Sequence, residues 1–575
     1  MKNIRYILIS IACIFTAAAC SLDEESFTEI EKDKYINDAS EANTVLLGIY
    51  KNMTYDEMYG YYLSIYFTLP SDIAKITGNE LTNWRNVPCN AFTSTEDEIQ
   101  GTWEYLYNSI YQANDFIEGL AAKMEEFSDN DKKTATAYMG EARALRALFY
   151  FELVRWYGHV PLMTKTSQSD QHPSTFVQAD PVDVYKFIEQ DLLYAIEVLP
   201  YATDDTVRSD NSFRISKGGA LGLLAKVYAT WAGYPLYDET KWEDAAKTAE
   251  ILVTSGKHGL LSDYEQLWKN SANSVWDPTE SLIEVSFYSP IITGNSSNDA
   301  SGRIGKWNSV PIADGVGNNG RAAGNWRVIT TFAKSWKESY PGDKRWDISI
   351  ADYRYTAASG TTPEYATVSE TQDGNKVDIQ VRFTDAMANN ASDSKRAKFN
   401  DNFLYPGKWD MIKYIEPGNE VVDANKSNVN WYILRYSDVL LLYAEAMNEW
   451  KKGPTTEAYN AVNMVRRRGF GLTVGATSST ADLPEGLSYE QFQQAVRDER
   501  SYELAFEGHR RQDLIRWGIF YDSIQQTFYD LQTWHDQAAS YYRCIDFTIE
   551  GKNELMPIPQ RDMDLCKQFK QNPGW

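Results

Sequence analysis

Histidine and cysteine are both scarce, with five of each in 575 residues. The cysteines lack CxxC spacing, so no zinc site is indicated, and Cys89, Cys544 and Cys566 could form at most one bridge. Positive charge is also short. Lys and Arg total 56 against 80 Asp and Glu, a net charge of −24, and such a surface repels phosphate backbones, which excludes nucleic acid as a partner. No HExxH, GxSxG or GxxxxGK[ST] motif occurs, so no familiar catalytic machinery is visible and no cofactor is called for. What the chain does have is 43% hydrophobic and 24% charged residues, a globular composition, with 17 Trp and 38 Tyr. Function is therefore to be sought among aromatic rings.

Lys2 and Arg5 precede an apolar run from Ile7 to Ala19 that is too short to span a bilayer and reads as a secretory signal, residues 1–19. The run ends in three alanines before Cys20. That pattern resembles a bacterial lipobox, which implies lipidation at Cys20; a secreted protein with Cys20 in a disulfide is the alternative. Acylation at one cysteine by more than one chain would anchor the protein without spanning. Ser21, Leu22, Asp23, Glu24 and Glu25 follow, an acidic stretch resembling those that send lipoproteins to the cell surface, or a plain solvated tether over residues 20–40.

Ala142, Leu145, Phe149, Leu153 and Trp156 recur at steps of three and four, with Gly158 as a stop, and predict an amphipathic helix. Further helices are expected from Thr102 to Ala122, Val182 to Leu199, Lys217 to Trp231, Trp242 to Thr254, Ser437 to Trp450 and Thr455 to Arg468. Paired helices with small residues such as Gly222 and Ala225 at close contacts resemble tetratricopeptide repeats. The expected class is thus mainly all-α. A helical region over 41–270 and a C-terminal region over 431–575 flank residues 271–430, where Gly, Ser, Asn, Asp and Pro interleave with Trp and Tyr and helical periodicity fades. Loops on a rigid scaffold carry binding residues, so this insertion and the stretch from Pro70 to Thr95 are the places to look.

Three segments resemble the SusD/RagB family of outer-membrane nutrient-binding lipoproteins. They are GEARALRALFYFELVRWYGHVPL ending at Leu162; YILRYSDVLLLYAEAM from Tyr432, with NMVRRR from Asn463 and VRDERSYELAFEGHRRQDLIRW from Val496; and LMPIP from Leu555 with the terminal QNPGW. The resemblance implies a SusD-like helical body and a surface-exposed, lipid-anchored place on the outer membrane. It also implies a SusC-like TonB-dependent transporter as partner and an oligosaccharide ligand. Glu499, Arg500, Glu503, Glu507, Arg510, Arg511 and Asp513 are expected on one helix as an ion-pair network, not as a catalytic pair, which would have to face across a cleft.

A sugar offers C–H groups on its face and hydroxyls at its edge, so a site needs flat rings rimmed by amide, carboxylate or guanidinium groups. Asn83, Trp84 and Arg85 fit that composition, as do Trp276 with Asp277, Tyr288, Trp307 with Asn308, and Trp326 between Asn325 and Arg327. Trp103, Trp156, Trp231, Trp242, Trp450 and Trp517 lie in helical patterns and belong to the core; Trp336, Trp346 and Trp409 stay open. Residues 295–299 are rich in Asn and Asp but lack regular calcium-ligand spacing and read as a surface loop. The leading expectation is a non-catalytic glycan-binding lipoprotein. The alternatives are a surface glycoside hydrolase and a binder of peptides or other nutrients.

Overall fold

The computed structural model describes residues 36–208, 210–289, 300–400 and 403–575. Cys20 and the loop 295–299 lie outside them. The long helices are α1 (Ala39–Asn52), α2 (Asp97–Lys123), α3 (Asp129–Tyr157), α4 (Pro181–Val198), α5 (Lys217–Trp231) and α6 (Lys241–Thr254), then α7 (Tyr436–Lys451), α8 (Thr456–Gly469), α9 (Tyr489–Glu503), α10 (Arg510–Arg516) and α11 (Phe520–Trp534). Their starts follow from local chemistry. Asp38, Ser128, Asp180, Ser216, Thr455 and Ser488 each accept a backbone N–H of the first turn. Gly158, at φ +68°, ends α3.

Successive helices from α2 to α6 pack as neighbours, and α7 packs on both α6 and α8. The C-terminal helices thus continue the N-terminal stack, and residues 255–435 leave it and return. Gly222 permits this closure: a Cβ there would stand 2.8 Å from Leu434 and 2.9 Å from Val439. The fold is mainly α-helical.

The helix expected around Ala142 to Trp156 begins earlier, at Asp129, and from Ala137 to Tyr157 nearly every residue is buried, polar positions included. Arg146 is held by Asp191 at 2.8 Å, Glu141 by Arg208 at 3.0 Å and Arg214 at 3.3 Å, and Glu152 by Arg155 and the Tyr59 hydroxyl, each at 2.6 Å. The charges that make the pattern look amphipathic are interior ion pairs.

The expected single helix over Glu499 to Asp513 is two helices. The chain breaks between α9 and α10, with Phe506 at φ +65° and Gly508 at φ +79°. The partners also come from far away: Arg345 pairs with Glu499 and Glu503, Arg435 with Glu280, Glu503 and Glu507, Arg468 with Glu280 and Glu503, and Lys408 with Glu507. All are buried. Burial works against these carboxylates, but Arg468, Arg435 and Arg345 hold Glu503 far below the usual range, and Arg435 and Lys408 hold Glu507 down as well.

Between the helical parts run short strands. Ala74–Ile76 pairs antiparallel with Trp326–Val328, and Ser281–Val285 with Trp431–Arg435, which closes the base of the insertion. Tyr353–Arg354, Glu364–Gln372 and Asn375–Val381 form a three-stranded sheet turning at Asp373 and Gly374, both at positive φ. Cys89, Cys544 and Cys566 are free thiols, all buried.

Candidate functional site

The pairing of Ala74–Ile76 with Trp326–Val328 brings the first loop stretch against the insertion, and the Thr77 amide continues it with a bond to the Asn325 carbonyl at 2.8 Å. On one side of this junction the turn Asn83–Asn86 carries Trp84; on the other the short helix Ile304–Trp307 carries Trp307. Their rings meet edge to face, 5.9 Å apart at 82°. Trp307 also meets Tyr61 at 4.9 Å and 65°, and Tyr62 stacks on Phe67 at 5.8 Å. Trp84, Trp307 and Tyr62 are half-buried, so each keeps part of its surface for a ligand.

Guanidinium groups rim the rings. Arg85 lies over Trp84 at 4.1 Å, held by its bond to the Thr77 carbonyl at 2.8 Å, and Gly78 makes the room: a Cβ there would be 2.7 Å from the guanidinium. Arg303 lies 5.0 Å over Tyr61 and 5.5 Å over Trp307. Asp56 fixes it at 2.7 Å and takes Lys426 at 3.0 Å. Burial would raise the Asp56 carboxyl, but Arg303 and then Lys426 hold it below its ordinary value, so it stays ionised. The Trp307 indole donates to Asn425 at 3.4 Å. Beside it the buried Lys306 donates to the carbonyls of Asn319 and Val421, and burial lowers its ammonium to about 8.

Val421 leads into a cavity of about 550 Å³ lined also by Tyr288, Asn273 and Asn428. The Tyr288 ring is 66% exposed. Asn428 exchanges two hydrogen bonds with the Ser289 backbone and Asn419 donates to Asn273, so these amides shape the wall.

Of the residues singled out in the sequence, Trp84, Arg85 and Trp307 converge, with Asn83 in the same turn as Trp84, and Tyr288 stands at the adjoining cavity. Trp276 packs instead on Phe213, at 6.2 Å, and Asp277 serves its own turn by accepting the Thr279 amide at 3.0 Å. Trp326 requires correction. Its side chain is fully buried, because the strand partnered by Ile76 turns it into the core. Tyr61, Tyr62, Arg303 and Asn425 join the cluster without having been singled out; the run of tyrosines at 55, 59, 61, 62 and 66 was the available signal for the first two.

Residues 269–575 match the SusD family, and residues 22–229 match a family described as starch-binding associating with outer membrane. The chain belongs to the SusD family. A solved SusD homolog from Bacteroides thetaiotaomicron VPI-5482 is 54% identical, covers 96% of this chain and 100% of its own, and superposes with a TM-score of 0.89. SusD-like protein P25 of Formosa agariphila is 26% identical over 98% of this chain and 97% of its own. A solved laminarin-binding SusD-like protein, at 22% identity over 93% of this chain and 99% of its own, shares the fold with a TM-score of 0.66.

In this SusD-family chain the ring cluster offers flat apolar surfaces edged by N–H donors. Glu57 and Glu98 lie close enough to Tyr62 to interact with it, and burial raises both carboxyls. Among the described residues no group of three His, Cys, Asp or Glu could hold a metal, and no helix is long and apolar enough to cross a membrane.

Proposed function

We propose that this protein captures neutral glycans at the outer cell surface, without catalysis, and delivers them to a SusC-like TonB-dependent transporter. The observation that carries the reading is the meeting of Trp84 and Trp307, from segments more than 200 residues apart, in one half-buried cluster rimmed by Arg85, Arg303 and Asn425. Sugar faces stack on such rings while guanidinium and amide groups meet the hydroxyls. The net charge of −24 favours neutral glycans over anionic ones. Family membership and the laminarin-binding relative support the same reading.

Affinity electrophoresis against a panel of neutral and anionic polysaccharides, with peptides as a depletion control, tests the ligand class. Retardation by a neutral glycan is expected. Incubation with the retarding glycan should release no product; product lost on Glu98→Gln would instead favour the hydrolase reading. The anchor and the partner have their own checks. Cys20→Ala should move the protein out of the membrane fraction, and the intact lipoprotein should co-purify with the barrel in mild detergent. Retention of the Cys20→Ala protein in outer membranes lacking the transporter would contradict the anchor.

A further inference from the structure

Helix α2 presents further rings to the C-terminal segment, at a place lined by none of the Trp84–Trp307 cluster. There a cavity of about 370 Å³ opens between Trp103 and Tyr107 of α2, Phe176, and Phe569. The size and the ring lining are those of a small-molecule site. Trp103 and Tyr107 stand 4.9 Å apart at 56°, and the Tyr107 hydroxyl is occupied by the Pro161 carbonyl at 2.9 Å. Polar side chains line it too, Glu104, Asn114, Ser169, Arg561 and Asp562, with the Asn114 amide taken up by the Met163 carbonyl and by Arg146.

One ionisable group on the cavity is unmatched. Asp562 lines it and accepts a hydrogen bond from the Trp103 indole, but no Lys or Arg forms an ion pair with it among the described residues. The cation next in sequence, Arg561, pairs with Glu104 instead. Burial pushes the Asp562 carboxyl above its ordinary value, against the Trp103 bond and the Arg561 charge. A partly buried carboxylate with no ion pair of its own, reached by Arg561 only at longer range and set beside aromatic faces, offers two attractions to the same kind of group: an ion pair and ring quadrupoles. A neutral sugar would leave the Asp562 charge uncompensated, and an anion would meet two carboxylates, Asp562 and Glu104, against Arg561 alone.

We propose that this cavity binds a small organic cation, a primary ammonium carried on an aromatic or aliphatic body, with Asp562, held by the buried Trp103 indole, meeting the charge and Tyr107 and Phe176 enclosing the body. The site goes beyond glycan capture and does not depend on it.

The test titrates the full mature chain with phenethylammonium and, as a neutral probe of the same shape, 2-phenylethanol, read by calorimetry and ligand-observed NMR. The ammonium should bind about tenfold or more tightly than the alcohol, the scale of one charge-assisted contact. Asp562→Asn should abolish that preference, Phe176→Ala should weaken both probes, and Trp307→Ala should change neither. Should Asp562→Asn melt early, Arg561→Gln serves in its place: removing the nearby cation should strengthen ammonium binding severalfold. Equal binding of the two probes, binding of neither, or a preference that survives Asp562→Asn or is unmoved by Arg561→Gln would overturn the proposal.

Discussion

Alanine at Trp326 removes an indole with no exposed surface and should cost about 3–5 kcal/mol of stability, as large core truncations do. The same change at Trp84 or Trp307, both half-buried, should shift the melting temperature far less. Thermal melts of the three variants check this, and an early melt of Trp307→Ala alone would turn that ring into a packing residue. The two environments were not separable in the sequence, where Asn325, Trp326 and Arg327 have the same polar flanks as Asn83, Trp84 and Arg85. What divides them is a three-residue strand whose partner lies some 250 residues earlier, and non-local pairing leaves no local signature in so short a segment. Trp336, Trp346 and Trp409, left open by their loop context, are all buried.

At the scale of elements, helices announce themselves through caps and periodicity, and α5 runs from Lys217 to Trp231 as its pattern implies. Two features were hidden. The burial of α3 on all sides rests on partners such as Asp191, Arg208 and Arg214, whose proximity no helical period reveals. The break between α9 and α10 puts Phe506, a residue with no preference for positive φ, at +65°. The hairpin around Asp373 and Gly374 lies in a segment read only as loop-rich, although its Asp-Gly pair is of the kind that marks such a turn. Gly222 is the element-scale test of the closed stack. Gly222→Val would drive methyl groups into Leu434 and Val439 and should lower stability by about 1–3 kcal/mol, as overpacking does, measurable by urea unfolding. A variant as stable as the parent would mean that α5 and α7 can separate without cost.

The whole molecule carries its charge in two ways, an acidic surface and a paired interior, and the pH response should show both. Glu503, Glu507, Asp438 and Asp513 are buried, yet their arginine and lysine neighbours hold them below ordinary carboxylate values. Their stabilisation is complete above the unfolded value near about 4 and lost as pH falls through the folded ones. His509, pushed down to about 3 chiefly by burial, adds a loss of the same sign that begins below about pH 6.5. Glu284 acts oppositely. Burial raises it to about 7 despite bonds from Ser281 and Asn430, so the folded state favours its proton and loses stability as pH rises from about 4.5 to 7. Glu284→Gln should therefore gain up to about 3 kcal/mol at pH 8 and almost nothing at pH 4, read from denaturant midpoints at the two values; an equal effect at both would remove the titration from the account. The acidic balance, the helical body and the family were legible at this scale because each is summed over hundreds of residues, whereas the site depends on a few long-range contacts. Its most direct test is calorimetric titration of the retarding glycan into the parent, Trp84→Ala and Trp307→Ala. Each single loss should weaken binding by about 1–3 kcal/mol, roughly 5- to 150-fold, with melting temperatures nearly unchanged, and normal affinity in both variants would contradict the assignment of these rings as the glycan platform.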